Sequence, residues 1–201
     1  MTLNEGIEHM GTPFIIPDSS RDNLPDFFVS RGYKVGAEIG VWRGNYTEQF
    51  CKVGLKMYAI DQWKAIGGQG PSQGSQRKQG SWYKEACERL SSYDCVIICD
   101  SSMKALSQIN DQCLDFVYLD GDHSLPHIIN DIWWWSLKVR TGGIIAGHDY
   151  FYTKPGDSVL IHVEPAVKVY TQVCGINNFW VFGGFKLGEM DGSPSWMWFK
   201  P

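Results

Sequence analysis

Lys34-Val-Gly-Ala-Glu-Ile-Gly-Val-Trp-Arg-Gly44 is followed by a second apolar run, Met57-Tyr-Ala-Ile, that ends in Asp61. An apolar run stops in a glycine loop, an amphipathic stretch follows, and the next apolar run closes on a carboxylate. That is the layout of a nucleoside-binding β-α-β unit, whose ligand lies across the strand tips. The glycine spacing narrows the ligand. A dinucleotide site uses G-x-G-x-x-G, because the backbone must approach a pyrophosphate at a helix N-terminus. Here the pattern is Glu38-x-Gly40-x-x-x-Gly44, and Trp42 and Arg43 stand in the loop where a phosphate would favour small residues. Gly40 and Gly44 permit a tight turn and a close approach that a side chain would block.

The rest of the chain continues the alternation. Strands are expected at Val35–Ile39, Met57–Ile60, Cys95–Cys99, Phe116–Leu119 and Gly143–Ala146, with helices near Tyr46–Val53, Tyr83–Leu90, Met103–Ile109 and Leu125–Val139. Short apolar runs separated by helical patterns imply an α/β fold, a Rossmann-like doubly wound parallel sheet between two helical layers. Asn178–Phe182 and Trp196–Phe199 read as a terminal antiparallel pair. Residues 1–201 read as one domain. Residues 1–22 form an irregular lead-in, and the Gly/Gln/Ser-rich stretch 66–81 forms a long loop, either a lid or a tolerated insertion. Asp22-Asn-Leu-Pro25 starts a helix that ends before Gly32. In Leu125–Val139 the sheet-facing stripe is expected at Ile129, Ile132, Trp133 and Leu137.

The 201 residues suffice for one substantial core, and 43% hydrophobic with 14% aromatic content argues for a folded protein. A net charge of -4 gives no electrostatic footprint for nucleic acid or an anionic membrane. The N-terminus lacks the basic and apolar regions of a signal peptide, and no apolar run is long enough to span a bilayer. Six cysteines without a Cys-x-x-Cys pair read as reduced core thiols in a cytoplasmic protein.

Ligands of an open α/β sheet sit beyond the carboxyl ends of its strands. The first of these delivers Glu38 and Gly40. The second delivers Asp61, whose two oxygens can accept from both hydroxyls of a ribose, with Gln62 and Trp63 beside it. The third ends in Asp100 and Ser101, which either bind the nucleoside base or cap the next helix. The fourth ends Leu-Asp120-Gly-Asp-His123, and the fifth ends Ala-Gly-His148-Asp149-Tyr150. If those two strands are neighbours, Asp120, His123, His148 and Asp149 converge, a set suited to divalent metal binding and proton abstraction.

The glycine loop resembles motif I of class I S-adenosylmethionine-dependent methyltransferases. The run Asp120-Gly-Asp-His123, then Asp131, then Gly142-Gly-Ile-Ile-Ala-Gly-His-Asp-Tyr150 is similar to small single-domain members of that family and to the macrolide sugar O-methyltransferases. The resemblance spans Leu24 to Phe199 and implies a seven-stranded sheet with the last strand inserted antiparallel. It implies that Glu38, Gly40, Gly44, Asp61, Gln62, Trp63, Asp100, Ser101 and Asp120 bind S-adenosylmethionine. It also implies metal acids at Asp120 and Asp149, with His123 as the base. One departure matters. His148 stands where that family has the first of two acids, and an imidazole suits Mn²⁺, Fe²⁺ or Zn²⁺ better than Mg²⁺. Either the metal is not Mg²⁺, or His148 stands behind the ligands, or no metal binds. If a metal binds, its ligands are expected at Asp120, His148 and Asp149; catalytic roles are expected at His123 and Asp149. The expected activity is O-methylation of a small-molecule or sugar hydroxyl. An iron-dependent oxidative enzyme on the same fold and a non-catalytic cofactor binder are the alternatives. No nucleic-acid or membrane partner is indicated; self-association stays open.

Overall fold

The computed structural model describes residues 1–64, 76–154, 156–157, 159–183 and 192–201. Its elements in chain order are α1 (Leu3–Gly6), β1 (Phe14–Ile16), α2 (Leu24–Ser30), β2 (Val35–Ile39), α3 (Asn45–Lys52), β3 (Lys56–Asp61), α4 (Gln76–Leu90), β4 (Cys95–Cys99), α5 (Ser102–Ala105), β5 (Leu114–Leu119), α6 (Leu125–Lys138), β6 (Val139–Gly147), α7 (Val163–Val173), β7 (Trp180–Phe182) and β8 (Ser195–Phe199). The sheet order is β1-β7-β8-β6-β5-β2-β3-β4. β8 runs antiparallel to both of its neighbours, and every other pairing is parallel. The last strand is thus inserted antiparallel, as expected.

Side chains alternate between two cores. Ala37, Ile39, Val117, Leu119 and Ile145 pack beneath α6 and α7, while Met57, Ala59, Phe116, Tyr118 and Ile144 pack beneath α2, α3 and α4. Period-two alternation along central strands buried on both faces produces this three-layer arrangement. The chain reverses direction across the sheet between β2 and β5, and the crevice outside that switch point is where such sheets bind ligands.

Four expectations need correction. The sheet has eight strands rather than seven, because the lead-in is ordered: Phe14–Ile16 pairs in parallel with Trp180–Phe182. The stretch 66–81 is helical from Gln76 onward, and the part before Gln76 lies outside the described residues. Gln79, Trp82, Ala86 and Leu90 form a buried stripe at helical spacing, which carries α4 through Gly80 and Ser81. In α6 the buried stripe is Ile128, Ile132 and Trp135, whereas Trp133 and Leu137 are exposed. That helix is apolar on most of its circumference, so periodicity left its rotation ambiguous. Finally, Cys99, Cys113 and Cys174 are exposed rather than core thiols, although all six cysteines are free.

Among the described residues no helix is long and apolar enough to cross a membrane.

Candidate active site

The tip of β2 is tied by backbone to both of its neighbours, β5 and β3. Asp120 N–H donates to Ile39 O at 2.8 Å, and Gly40 N–H donates to Ile60 O at 2.9 Å. Gly40 holds φ at +93°, and a Cβ there would stand 2.1 Å from the Asp120 carbonyl oxygen. Only glycine fits. Beyond this junction opens a cleft of about 220 Å³, whose lining includes Gly40, Asp61, Gln62, Ser101, Ser102 and Asp131.

Of the residues expected to bind a nucleoside, Gly40, Asp61, Gln62 and Ser101 line that cleft. The others sit elsewhere. Gly44 begins α3 at φ +78° and faces Leu90 and Ala86 of α4. Trp63 is buried and donates its indole N–H to Trp42 O at 2.6 Å. Asp100 accepts from Ser101 N–H at 2.8 Å. Asp61 anchors the glycine loop: its two oxygens accept from Trp42 N–H at 2.8 Å and Trp63 N–H at 2.9 Å. The Gln62 and Val41 amides also bear on this carboxylate, so a ligand hydroxyl would share it with them. Burial pushes the Asp61 carboxyl up, against those amide bonds.

Glu38 lies on the opposite sheet face, 2% exposed, and accepts a hydrogen bond from the Thr47 hydroxyl of α3. Burial drives its pKa up to about 8, opposed by Thr47 and by the Arg21 guanidinium. Arg21 comes from the lead-in. It reaches Asp120 Oδ2 at 3.2 Å and lies over the Tyr46 ring, 4.8 Å from its centroid. Sequence reasoning missed this residue; the signal available was the Ser20-Arg-Asp-Asn23 capping turn that fixes it.

The sign of a Glu38 substitution follows. A carboxyl whose folded pKa is raised from 4.5 to about 8 favours the folded state most when protonated, and that contribution is lost as pH rises from 4.5 toward 8. Glu38→Gln should leave the melting temperature of the ligand-free protein unchanged near pH 4.5, raise it by a few degrees above pH 8, and level off there. Thermal denaturation across pH checks this; a difference that does not grow with pH overturns it.

Asp120, His123 and Asp149 converge, with one ligating atom from each lying within 4.8 Å of the others. His123 Nδ1 is 2.9 Å from Asp149 Oδ2, and its Nε2 is 3.4 Å from Asp120 Oδ1. Nε2 is buried and lacks a hydrogen bond among the described residues. Burial opposes charge on this ring, but the two carboxylates win and lift its pKa to about 10. Burial likewise opposes ionisation of Asp149, yet the His123 and His148 rings hold it down to about 2. Asp149 itself takes a left-handed φ of 53°, a conformation Asp tolerates better than most residues. Buried His148 brings Nδ1 to 3.3 Å from Asp149 and 3.7 Å from Asp120. All four side chains expected to converge do so.

Comparison with known proteins agrees with this architecture. Many solved structures share the fold, and three illustrate it. Cofactor-bound Rv0187 from MTB aligns at TM-score 0.62 and 12% identity, over 88% of this chain and 77% of that one. The O-methyltransferase from Bacillus cereus in complex with SAH aligns at 0.60 and 15%, over 90% and 80%. The O-methyltransferase TomG from Streptomyces achromogenes, involved in tomaymycin synthesis and in complex with SAM, aligns at 0.59 and 12%, over 90% and 79%. No curated protein matches the chain. A family described as a methyltransferase domain matches residues 37–150, which run from the middle of β2 to the residue after Asp149 and take in the glycine loop, Asp61 and the Asp120–His123–Asp149 cluster. The chain belongs to this methyltransferase-domain family.

Proposed function

We propose that the protein, as one domain of residues 1–201 working in the cytoplasm, transfers the methyl group of S-adenosylmethionine to a hydroxyl of a small molecule or sugar. One observation carries the reading: a nucleoside-sized cleft and a cluster of two carboxylates with two imidazoles share the same line of strand tips. O-methyltransferases from Bacillus cereus and Streptomyces achromogenes, holding SAH and SAM on this fold, favour that cofactor.

In this reading Asp61 accepts from the ribose hydroxyls, and Gln62 and Ser101 border the base. Asp120 supplies negative charge toward the methionine ammonium, with Glu38, kept mostly protonated at neutral pH by burial, behind it. The sulfonium methyl needs no activation, so the protein's task is to hold the acceptor oxygen in line and take its proton. Asp149 accepts from His123 Nδ1–H and fixes the ring. Because the two carboxylates lift the ring's pKa to about 10, Nε2 must first give up its own proton before it can take that of the acceptor.

The donor set suits a divalent cation: Asp120 and Asp149 offer carboxylate oxygens, and His148 lies against both. When bound, the cation would lower the pKa of the acceptor hydroxyl and orient it. An imidazole among the donors favours Mn²⁺ or Fe²⁺ over Mg²⁺.

Calorimetric titration with S-adenosylhomocysteine, with NAD as control, tests the reading. S-adenosylhomocysteine should bind at micromolar concentration and NAD should not. Asp61→Asn should weaken binding by about tenfold or more, as a charge-assisted hydrogen bond is lost. Mn²⁺ should bind more tightly than Mg²⁺. Absence of S-adenosylhomocysteine binding under every metal condition overturns the proposal.

A further inference from the structure

Asp131 lies in the second turn of α6, is 5% exposed, and lines the cleft beside Ser101 and Ser102. A buried carboxylate needs partners, and this one has them on one side only. The Ser102 hydroxyl bonds Asp131 Oδ1, and the Trp135 indole N–H reaches the same Ser102 Oγ at 2.7 Å. The directions in this chain are forced. Indole N–H can only donate, so Ser102 Oγ accepts from Trp135, and its single proton is left to donate to Asp131. Trp135 is fully buried in the core, so the chain is anchored at its far end.

Oδ1 is therefore committed as an acceptor from below. Oδ2 lies toward Gly121, another cleft-lining residue, and has no hydrogen bond among the described residues. Burial lifts the Asp131 carboxyl to about 6, so well above that pH both oxygens are acceptors. An acceptor at this point selects a ligand that donates. Asp61 at the tip of β3 marks the ribose end, and Glu38 and Asp120 mark the amino-acid end. Ser101, Ser102 and Asp131 mark what remains, the base end, where the cofactor's only donor is the exocyclic amine of adenine.

Resting on the cofactor assignment above, we infer that Asp131 Oδ2 accepts from the adenine amine and is the base-specificity determinant of the cleft, with the Trp135–Ser102 relay fixing which end of the side chain faces the ligand. The relay fixes what a substitution would do. In Asp131→Asn the Ser102 hydroxyl still needs an acceptor, so the amide oxygen takes the Oδ1 place and the NH₂ turns to the cleft. The site would then donate, and would favour a base bearing a carbonyl at that position.

The test compares S-adenosylhomocysteine with S-inosylhomocysteine, in which a carbonyl replaces the amine, by calorimetry at a pH well above 6. The accompanying change at ring N1 is common to all variants and cancels when preference ratios are compared between them. The wild type should prefer the adenosyl ligand by about tenfold to a hundredfold. Asp131→Asn should reverse or abolish that preference. Asp131→Asn combined with Ser102→Ala frees the amide to present either end, and should bind the two ligands within about threefold of each other. Ser102→Ala alone keeps the carboxylate, so the adenosyl preference should persist; it also serves if the Asn variant fails to fold, since loss of preference there overturns the inference. An unchanged ratio in a folded Asp131→Asn variant overturns it too. If the wild type binds neither ligand, the cofactor assignment itself has failed and this inference falls with it.

Discussion

His123→Ala lowers the methyl-transfer rate constant by about 10²–10⁴-fold, the usual contribution of a general base, yet binds Mn²⁺ at least as tightly as the unaltered protein. The two readouts separate two roles that the same geometry permits. As a base, His123 contributes to turnover and nothing to metal affinity. As a ligand, it would contribute to both. The sign of the metal effect comes from its surroundings: the ring stands 2.9 Å from Asp149 and 3.4 Å from Asp120 and supplies their positive counterpart. Removing it leaves two carboxylates facing each other, and a cation that enters between them meets less competition. Affinity for S-adenosylhomocysteine should change by less than about threefold, since a purely transition-state interaction leaves ground-state binding alone. Added imidazole should restore part of the rate. Rates are read with a hydroxyl acceptor taken from a methyl-transfer screen, and metal affinity by calorimetry. Weakening of Mn²⁺ by tenfold or more would instead make His123 a ligand, on the scale of losses seen for groups that support a metal.

Much of the fold was legible because its signals are local. Val35–Ile39 and Cys95–Cys99 have the bounds their apolar runs suggested, and α2 starts where Pro25 placed it. What escaped was decided at a distance. Phe14–Ile16 is three residues long and becomes a strand only by pairing with Trp180–Phe182. Nothing within so short a run distinguishes it from a loop. α7 was missed differently: Val163, Ala166, Val167 and Thr171 form a readable buried stripe, but Pro165 in its first turn reads as a breaker until the turn is placed.

The site divides the same way. Asp61, Asp120, His123, His148 and Asp149 end strands, so a correct reading of the strands aligns them without further information. Arg21 and Asp131 do not. Arg21 meets Asp120 across 99 residues of sequence, and Asp131 meets Ser102 across 29. Their roles depend on which way a helix or turn is rotated, and α6 in particular carries apolar residues all round. The stripe read at Ile129 and Trp133 was one position out of phase. That same rotation sets Asp131 into the cleft.

Gly40→Ala is expected to abolish binding of S-adenosylhomocysteine while Gly54→Ala retains it, although both glycines hold left-handed backbones, φ +93° and +86°. The comparison isolates space from conformation. An alanine in either place carries the left-handed penalty of about 1–2 kcal/mol. At Gly54 that is the whole cost, for nothing lies within 4 Å of the added methyl. At Gly40 the methyl meets the Asp120 carbonyl oxygen at 2.1 Å, the Asp120 carbonyl carbon at 2.5 Å and Gly121 Cα at 2.8 Å. These are backbone atoms held in the sheet, so no side chain can rotate to relieve them. The tip of β2 must shift away from β5, and the bonds that hold it, Asp120 N–H to Ile39 O from β5 and Gly40 N–H to Ile60 O of β3, weaken with it, about 1 kcal/mol each. A total near 3–4 kcal/mol is in the range of severe single substitutions. It should lower the melting temperature by roughly 10 °C, against a few degrees for Gly54→Ala. The functional loss exceeds the stability loss because the junction is also the floor of the cleft and carries Asp120 toward His123. Equal behaviour of the two variants, in melting and in titration, would mean that the strand tips yield more easily than their hydrogen bonds imply, and the β2–β5 junction would no longer explain why the glycine loop holds Gly40 at that point.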